Sequence, residues 1–233
     1  MLKRRIVLVV SLAFVVLASV VAVAVAAGRP EPACACSVEP NLRGPAQDAA
    51  VRFEGVVRRG DVPGAWTLLT DEARSRYGNL ARFRPVFDRL GRALREADAP
   101  RWLAVDEEAR YDRPSPVVVV GFSTGPARLV WPLLVLTPLG RIGDERIDPE
   151  PRALRLTAVR DGDGVRVKLA DGDPERTTFV AIDSAGRDTR PGRRPVAEGV
   201  DRLTWSIPPT GPILAIAIER GPSGPRIGFG STP

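Results

Sequence analysis

The residues of this chain best suited to chemistry are carboxylates. Asp106, Glu107 and Glu108, followed by Arg110 and Asp112, form an acidic run in a stretch with strand character. Paired carboxylates can act as general acid and base when one of them is desolvated, and on a strand alternate side chains share a face, so Asp106 and Glu108 would point the same way. The same run also suits a solvated sheet face answered by arginine. Around it stand the aromatics Trp66, Tyr77, Trp102, Tyr111 and Trp131, which are candidates to line a pocket or to fill a core.

Other patterns weaken on inspection. Gly121-Phe122-Ser123-Thr124-Gly125 has the spacing of a nucleophile elbow. Pro126 and the apolar run behind it predict a turn into another strand instead of a helix, and the chain has no histidine to serve Ser123 as base. Asp161-Gly162-Asp163-Gly164 and Asp171-Gly172-Asp173 offer hard oxygens, but Asp-Gly between alternating apolar runs is a hairpin signal, and neither completes a calcium loop. Cys34 and Cys36 are the only cysteines, one residue apart; a metal site would need further ligands. The two can pair with each other in an oxidising compartment or link to a second chain. No residue is assigned as catalytic, cofactor-binding or metal-ligating, and no cofactor is implied.

The elements that would position these residues follow from periodicity. Lys3, Arg4 and Arg5 precede an uncharged run from Ile6 to Ala27, long enough at about 1.5 Å per residue to cross a hydrocarbon core of about 30 Å. The reading is a cytoplasmic stub over 1–5, a transmembrane helix or signal anchor over 6–27 embedded in the lipid bilayer, and an extracytoplasmic body. Ala24-Val25-Ala26 keeps open the alternative of a cleaved signal and a secreted product. A Pro-rich tether covers 28–45. Ala49, Ala50, Phe53, Val56 and Val57 share one face of a helix that ends at Arg58-Arg59-Gly60. A second helix fits Val62 to Leu69 and a third Leu80 to Ala97, in which Pro85 belongs to the first turn or marks a kink. Beyond Pro100 the pattern is of strands, with Val117 to Val120 apolar on both faces and therefore central, and Pro132 pushing its strand toward an edge or bulge. The segment 140–152 reads as a linker, and further short runs follow at the spacing of a sandwich.

Formal net charge is +6, from 34 basic and 28 acidic residues. Three of those charges belong to Lys3, Arg4 and Arg5, and the rest of the arginines are interspersed with acids, so nucleic-acid binding is excluded as an expectation.

The wording Phe53-x-x-Val56-Val57-x-x-Gly60-Asp61-x-x-x-Ala65-Trp66-x-Leu68-Leu69, then Ala73-x-x-x-Tyr77-Gly78, resembles the NTF2-like superfamily over roughly Pro45 to Leu139. The resemblance implies an α+β fold: three helices and a curved antiparallel sheet forming a cone over 46–139. After it, 153–233 resembles an immunoglobulin-type or fibronectin-type β-sandwich. NTF2-like domains include isomerases, dehydratases and non-catalytic modules on membrane anchors, so the resemblance speaks to fold more than activity. The expectation is a membrane-anchored binding or interaction module of the cell envelope, non-catalytic, whose partner is another envelope protein or a small ligand. Two alternatives stand beside it. One is an isomerase- or hydrolase-type enzyme using Asp106 or Glu108 in a cone pocket walled by Trp66, Tyr77, Trp102 and Trp131. The other is a structural envelope assembly subunit.

Overall fold

The computed structural model describes residues 41–97, 100–108, 110, 113–123, 128–138, 141, 143–207, 210–222 and 224–232. The membrane span expected over 6–27, the tether up to residue 40 and both cysteines lie outside the described residues. Among those described, no helix is long and apolar enough to cross a membrane.

Four helices open the described chain: α1 (Arg43–Arg58), α2 (Val62–Thr67), α3 (Asp71–Tyr77) and α4 (Leu80–Glu96). Their limits follow from local chemistry. Gly60, at φ 72°, ends α1, and the Asp61 carboxylate accepts from the Gly64 N–H to start α2. Thr70 Oγ1 accepts from the Ala73 N–H to start α3, Gly78 closes it at φ 75°, and Asn79 caps α4. Pro85 lies within α4, in its second turn. Its ring nitrogen forgoes a bond to the Ala81 carbonyl.

Twelve strands follow among the described residues, in three antiparallel four-stranded sheets. The first has the order β1 (Arg101–Glu107), β2 (Ser115–Ser123), β3 (Arg128–Thr137), β4 (Arg146–Asp148). The second runs β12 (Arg226–Thr232), β11 (Ile213–Glu219), β7 (Thr177–Asp183), β8 (Asp188–Thr189). The third runs β5 (Leu156–Asp161), β6 (Gly164–Leu169), β10 (Val200–Thr204), β9 (Gly192–Ala197). Asn41–Pro233 forms one compact unit.

Three cores hold the layers together. Ala50, Phe53, Phe83, Leu90 and Leu94 from the helices, with Leu69 from the α2–α3 connection, meet Val117, Val119, Leu133 and Val135 from one face of the first sheet. The other face of that sheet, with Val105, Val118, Val120 and Phe122, packs on Val180, Ile182, Leu214, Ile216 and Ile218 of the second. The second and third sheets enclose Val165, Val167, Leu169, Phe179, Leu203, Ala215 and Ala217 between them.

This overturns the expected fold class. The described residues are mostly β, in three antiparallel sheets, and among them there is no cone of three helices plus a curved sheet; the β-rich second and third sheets are compatible with the expected sandwich. The expectation that Val117 to Val120 is apolar on both faces and central holds for β2, but what covers the second face is another sheet. A strand's own pattern reports that a face is dry and not which element dries it. A fourth helix, α3, also fills the stretch between the expected second and third helices, where none was expected. The stretch 140–152 contributes β4, whose Ile147 bridges Leu69 and is buried against the helices. Pro132 sits in an interior strand, but β4 pairs only with Leu134–Leu136, so β3 is locally an edge at the proline.

Candidate functional site

The acidic run of β1 is split three ways by a bulge between Ala104 and Asp106. Asp106, with its side chain 4% exposed, is held by two guanidinium groups from the β-rich half: Arg190 Nη2 donates to Oδ1 at 3.0 Å and Arg220 Nη2 to Oδ2 at 2.5 Å. Glu107 turns to α1, accepting from the Leu42 N–H at 3.2 Å and facing Arg43 at 3.5 Å. Glu108 alone of the three reaches an open cleft, where Arg110 Nη2 donates to it at 3.0 Å. Asp106 and Glu108 therefore do not form a carboxylate pair.

Tyr111 lies outside the described residues, and the other candidate pocket aromatics are largely filling. Trp66, Tyr77 and Phe87 pack around Phe83, with ring centroids 5.8, 5.3 and 6.1 Å from it. Burial pushes the Tyr77 phenol well above its ordinary range, although the neighbouring Arg76 opposes this, and its hydroxyl meets Glu150 at 3.0 Å. Trp102 lies over Gly121 directly across the β1–β2 ladder and donates Nε1–H to Glu54 Oε2 at 2.6 Å. A Cβ at Gly121 would stand 2.8 Å from that indole, which is why glycine occupies the first position of the elbow-like motif. Ser123 ends β2 opposite Arg128 of β3, not at a strand-to-helix turn. Trp131 is half-buried and donates Nε1–H to the Pro149 carbonyl at 2.6 Å.

Every buried carboxylate among the described residues is met by an arginine. Besides Asp106 these are Glu145 with Arg52 at 2.5 Å, Asp148 with Arg76 at 2.5 and 3.2 Å, Asp183 with Arg187 at 2.7 Å, and Asp201 with Arg193 at 3.1 Å. Desolvation lowers the Arg76 guanidinium, but Asp148 and Tyr77 together more than offset it, so it is held above its ordinary value. The Asp-Gly turns follow the same rule: Asp161 faces Arg166 at 3.1 Å, Asp163 faces Arg202, and Asp171 faces Arg226 at 3.0 Å.

Several clefts open on the surface; the one that reaches the acidic run lies where the helical layer and its sheet meet the second sheet, in two limbs that share Arg110 and Pro222. A shallow polar limb of about 590 Å³ is lined by Glu108, Glu175, Arg176, Thr177, Thr178 and Arg220. A more enclosed limb of about 330 Å³ has an apolar floor of Pro114, Pro116, Leu134, Leu136 and Pro225, rimmed by Arg113, Arg152, Glu72 and Asp148. Of the sequence candidates only Glu108 lines it. Arg113, Arg152, Arg176, Arg220 and Pro222 passed unnoticed because they come from segments far apart in the chain, and nothing local marks them. Arg110 was visible only as a neighbour of the acids. Compared with family models, curated proteins and solved structures, the chain matches none.

Proposed function

We propose that this protein is a non-catalytic binding module whose contact face is the two-limbed, arginine-lined cleft. The observation that carries the reading is the engagement of all buried carboxylates by arginine. A general acid or base needs a desolvated carboxylate held for the substrate, and here each buried one among the described residues is already engaged by arginine, across layers at Asp106 and Asp148 and within a turn or a sheet at Asp183 and Asp201. The cleft, by contrast, gathers arginines from four separate segments onto an accessible surface beside an apolar floor, the composition of a recognition site.

The uncharged run over 6–27 behind Lys3, Arg4 and Arg5 supports placing this module outside the cytoplasm, tethered to the membrane, with an envelope protein or a small ligand as partner. Site-specific photo-crosslinking in the source cells tests the reading. Crosslinkers at Thr178 and Glu175 in the cleft should trap a partner or ligand that a crosslinker at Val51, exposed on α1, does not. Trapping at Val51 alone, or loss of a turnover activity on Glu108→Gln, would remove the reading.

A further inference from the structure

Within the cleft, the enclosed limb has features that narrow its ligand, and the inference rests on the binding-module reading. Its volume of about 330 Å³ falls at the small end of ligand sites, which span about 300–1,000 Å³. The floor is made of Leu134 and Leu136, alternate residues on the outer face of β3, with Pro114, Pro116 and Pro225 beside them. Such a floor has no hydrogen-bonding side chain and asks for an apolar body.

The rim asks for an anion. Asp148 is already held by both Nη atoms of Arg76, so it adds little negative field. Glu72 has no described partner, but it stands in the first turn of α3, where the helix end favours negative charge. Against it, the Arg152 side chain is exposed and has no hydrogen-bond or ion-pair partner among the described residues, although its carbonyl accepts from the Ile227 N–H. Arg110, at the junction of the two limbs, commits one Nη to Glu108, while its Nε is buried with no acceptor among the described residues. A guanidinium presents five donors in a fork that fits a carboxylate, and a buried N–H without a partner is costly. An arriving oxyanion that drew the Arg110 fork toward the cleft would relieve that cost.

We infer that the enclosed limb binds a small amphipathic carboxylate, its head between Arg110 and Arg152 and its apolar body on Leu134, Leu136 and Pro116. A free fatty-type acid and the C-terminal carboxylate of a peptide ending in an apolar residue share this chemistry. The test is calorimetric titration of the full chain in phosphatidylcholine nanodiscs with hexanoate, acetate, hexylamine and the dipeptide Gly-Leu. Hexanoate should bind saturably, at least about tenfold more tightly than acetate, through the burial of its methylenes. Hexylamine should not bind measurably. Arg152→Gln, on an exposed side chain that leaves folding intact, and Arg110→Gln should each weaken hexanoate by about tenfold, the loss of one charge-assisted hydrogen bond. If Gly-Leu binds more tightly than hexanoate the source is a peptide terminus, and if less tightly a free acid. Equal binding of acetate and hexanoate, preference for hexylamine, or indifference to both substitutions would overturn the inference. Crosslinking at Thr178 and Glu175 reports on the module reading independently, so success there with failure here would discard only the ligand class.

Discussion

Replacing Asp106 by asparagine separates a structural role for this carboxylate from a chemical one. The substitution keeps the shape and removes the charge that Arg190 and Arg220 share. A hydrogen bond to a charged partner contributes about 1.5–3 kcal/mol, and stripping one side of a fully buried pair costs about 3–5 kcal/mol. The arginines here are not fully buried: their side chains are 52% and 38% exposed, so water recovers much of their solvation. The expected loss is therefore about 2 kcal/mol, which for a unit of this size lowers the unfolding midpoint by about 4–8 °C. Thermal and urea unfolding of the parent, Asp106→Asn, Arg220→Met and the double variant would measure it. Because the two residues touch, the double variant should be less destabilised than the sum of the singles, by about 1 kcal/mol. An Asp106→Asn protein with the parent's stability, or strict additivity in the cycle, would refute the argument that this ion cluster ties the first sheet to the second.

Gly121→Ala should destabilise by about 1–3 kcal/mol through collision with the Trp102 ring, whereas Ser123→Ala should leave stability and any measured hydrolysis unchanged; urea unfolding and an ester assay check both. Gly186→Ala should cost at least about 1 kcal/mol by the same unfolding measurement, since Gly186 has φ 74° and an added Cβ would stand 2.8 Å from the Phe122 ring. Asp183 provides a pH test. Desolvation pushes its carboxyl up, but the N–H groups of Arg187 and Ala185 and the Arg187 guanidinium outweigh it and hold the group below its ordinary value of 3.8. A folded value below the unfolded one means a stabilisation that is complete above pH 3.8 and is lost as pH falls through the folded value. Unfolding free energies measured from pH 6 to pH 2 should thus decline less steeply at the acid end in Asp183→Asn than in the parent.

The helical layer was the most legible part of the chain. Gly60-Asp61 ends α1 and starts α2 as its chemistry requires, and Phe83, Phe87, Leu90 and Leu94 bury one face of α4. Such features depend on residues within a turn or two of each other. Strands β2, β7 and β11 were legible for the same reason, through continuous apolar runs. Strand β9, with Arg193, Arg194 and Pro195 in an exposed run, carries no apolar signal, and β12 is thinned by Gly228 and Gly230. Those glycines are explained only across the sandwich: a Cβ at Gly228 would meet the Leu154 carbonyl at 2.6 Å, and one at Gly230 would meet Ala158 at 2.9 Å.

By itself, then, the amino-acid sequence determined the local turns and caps, the dryness of both faces of β2, and the absence of a histidine for acid–base work. Only the tertiary structure decided the partners. The outer face of the first sheet is covered by a second sheet, and Asp106 is claimed by arginines 84 and 114 residues away. The arginines of the cleft are likewise brought to one surface by strand order. The physical reason is that burial and charge are readable in one residue at a time, whereas an ion pair or a cleft belongs to two or more segments and exists only once chain topology sets their separation.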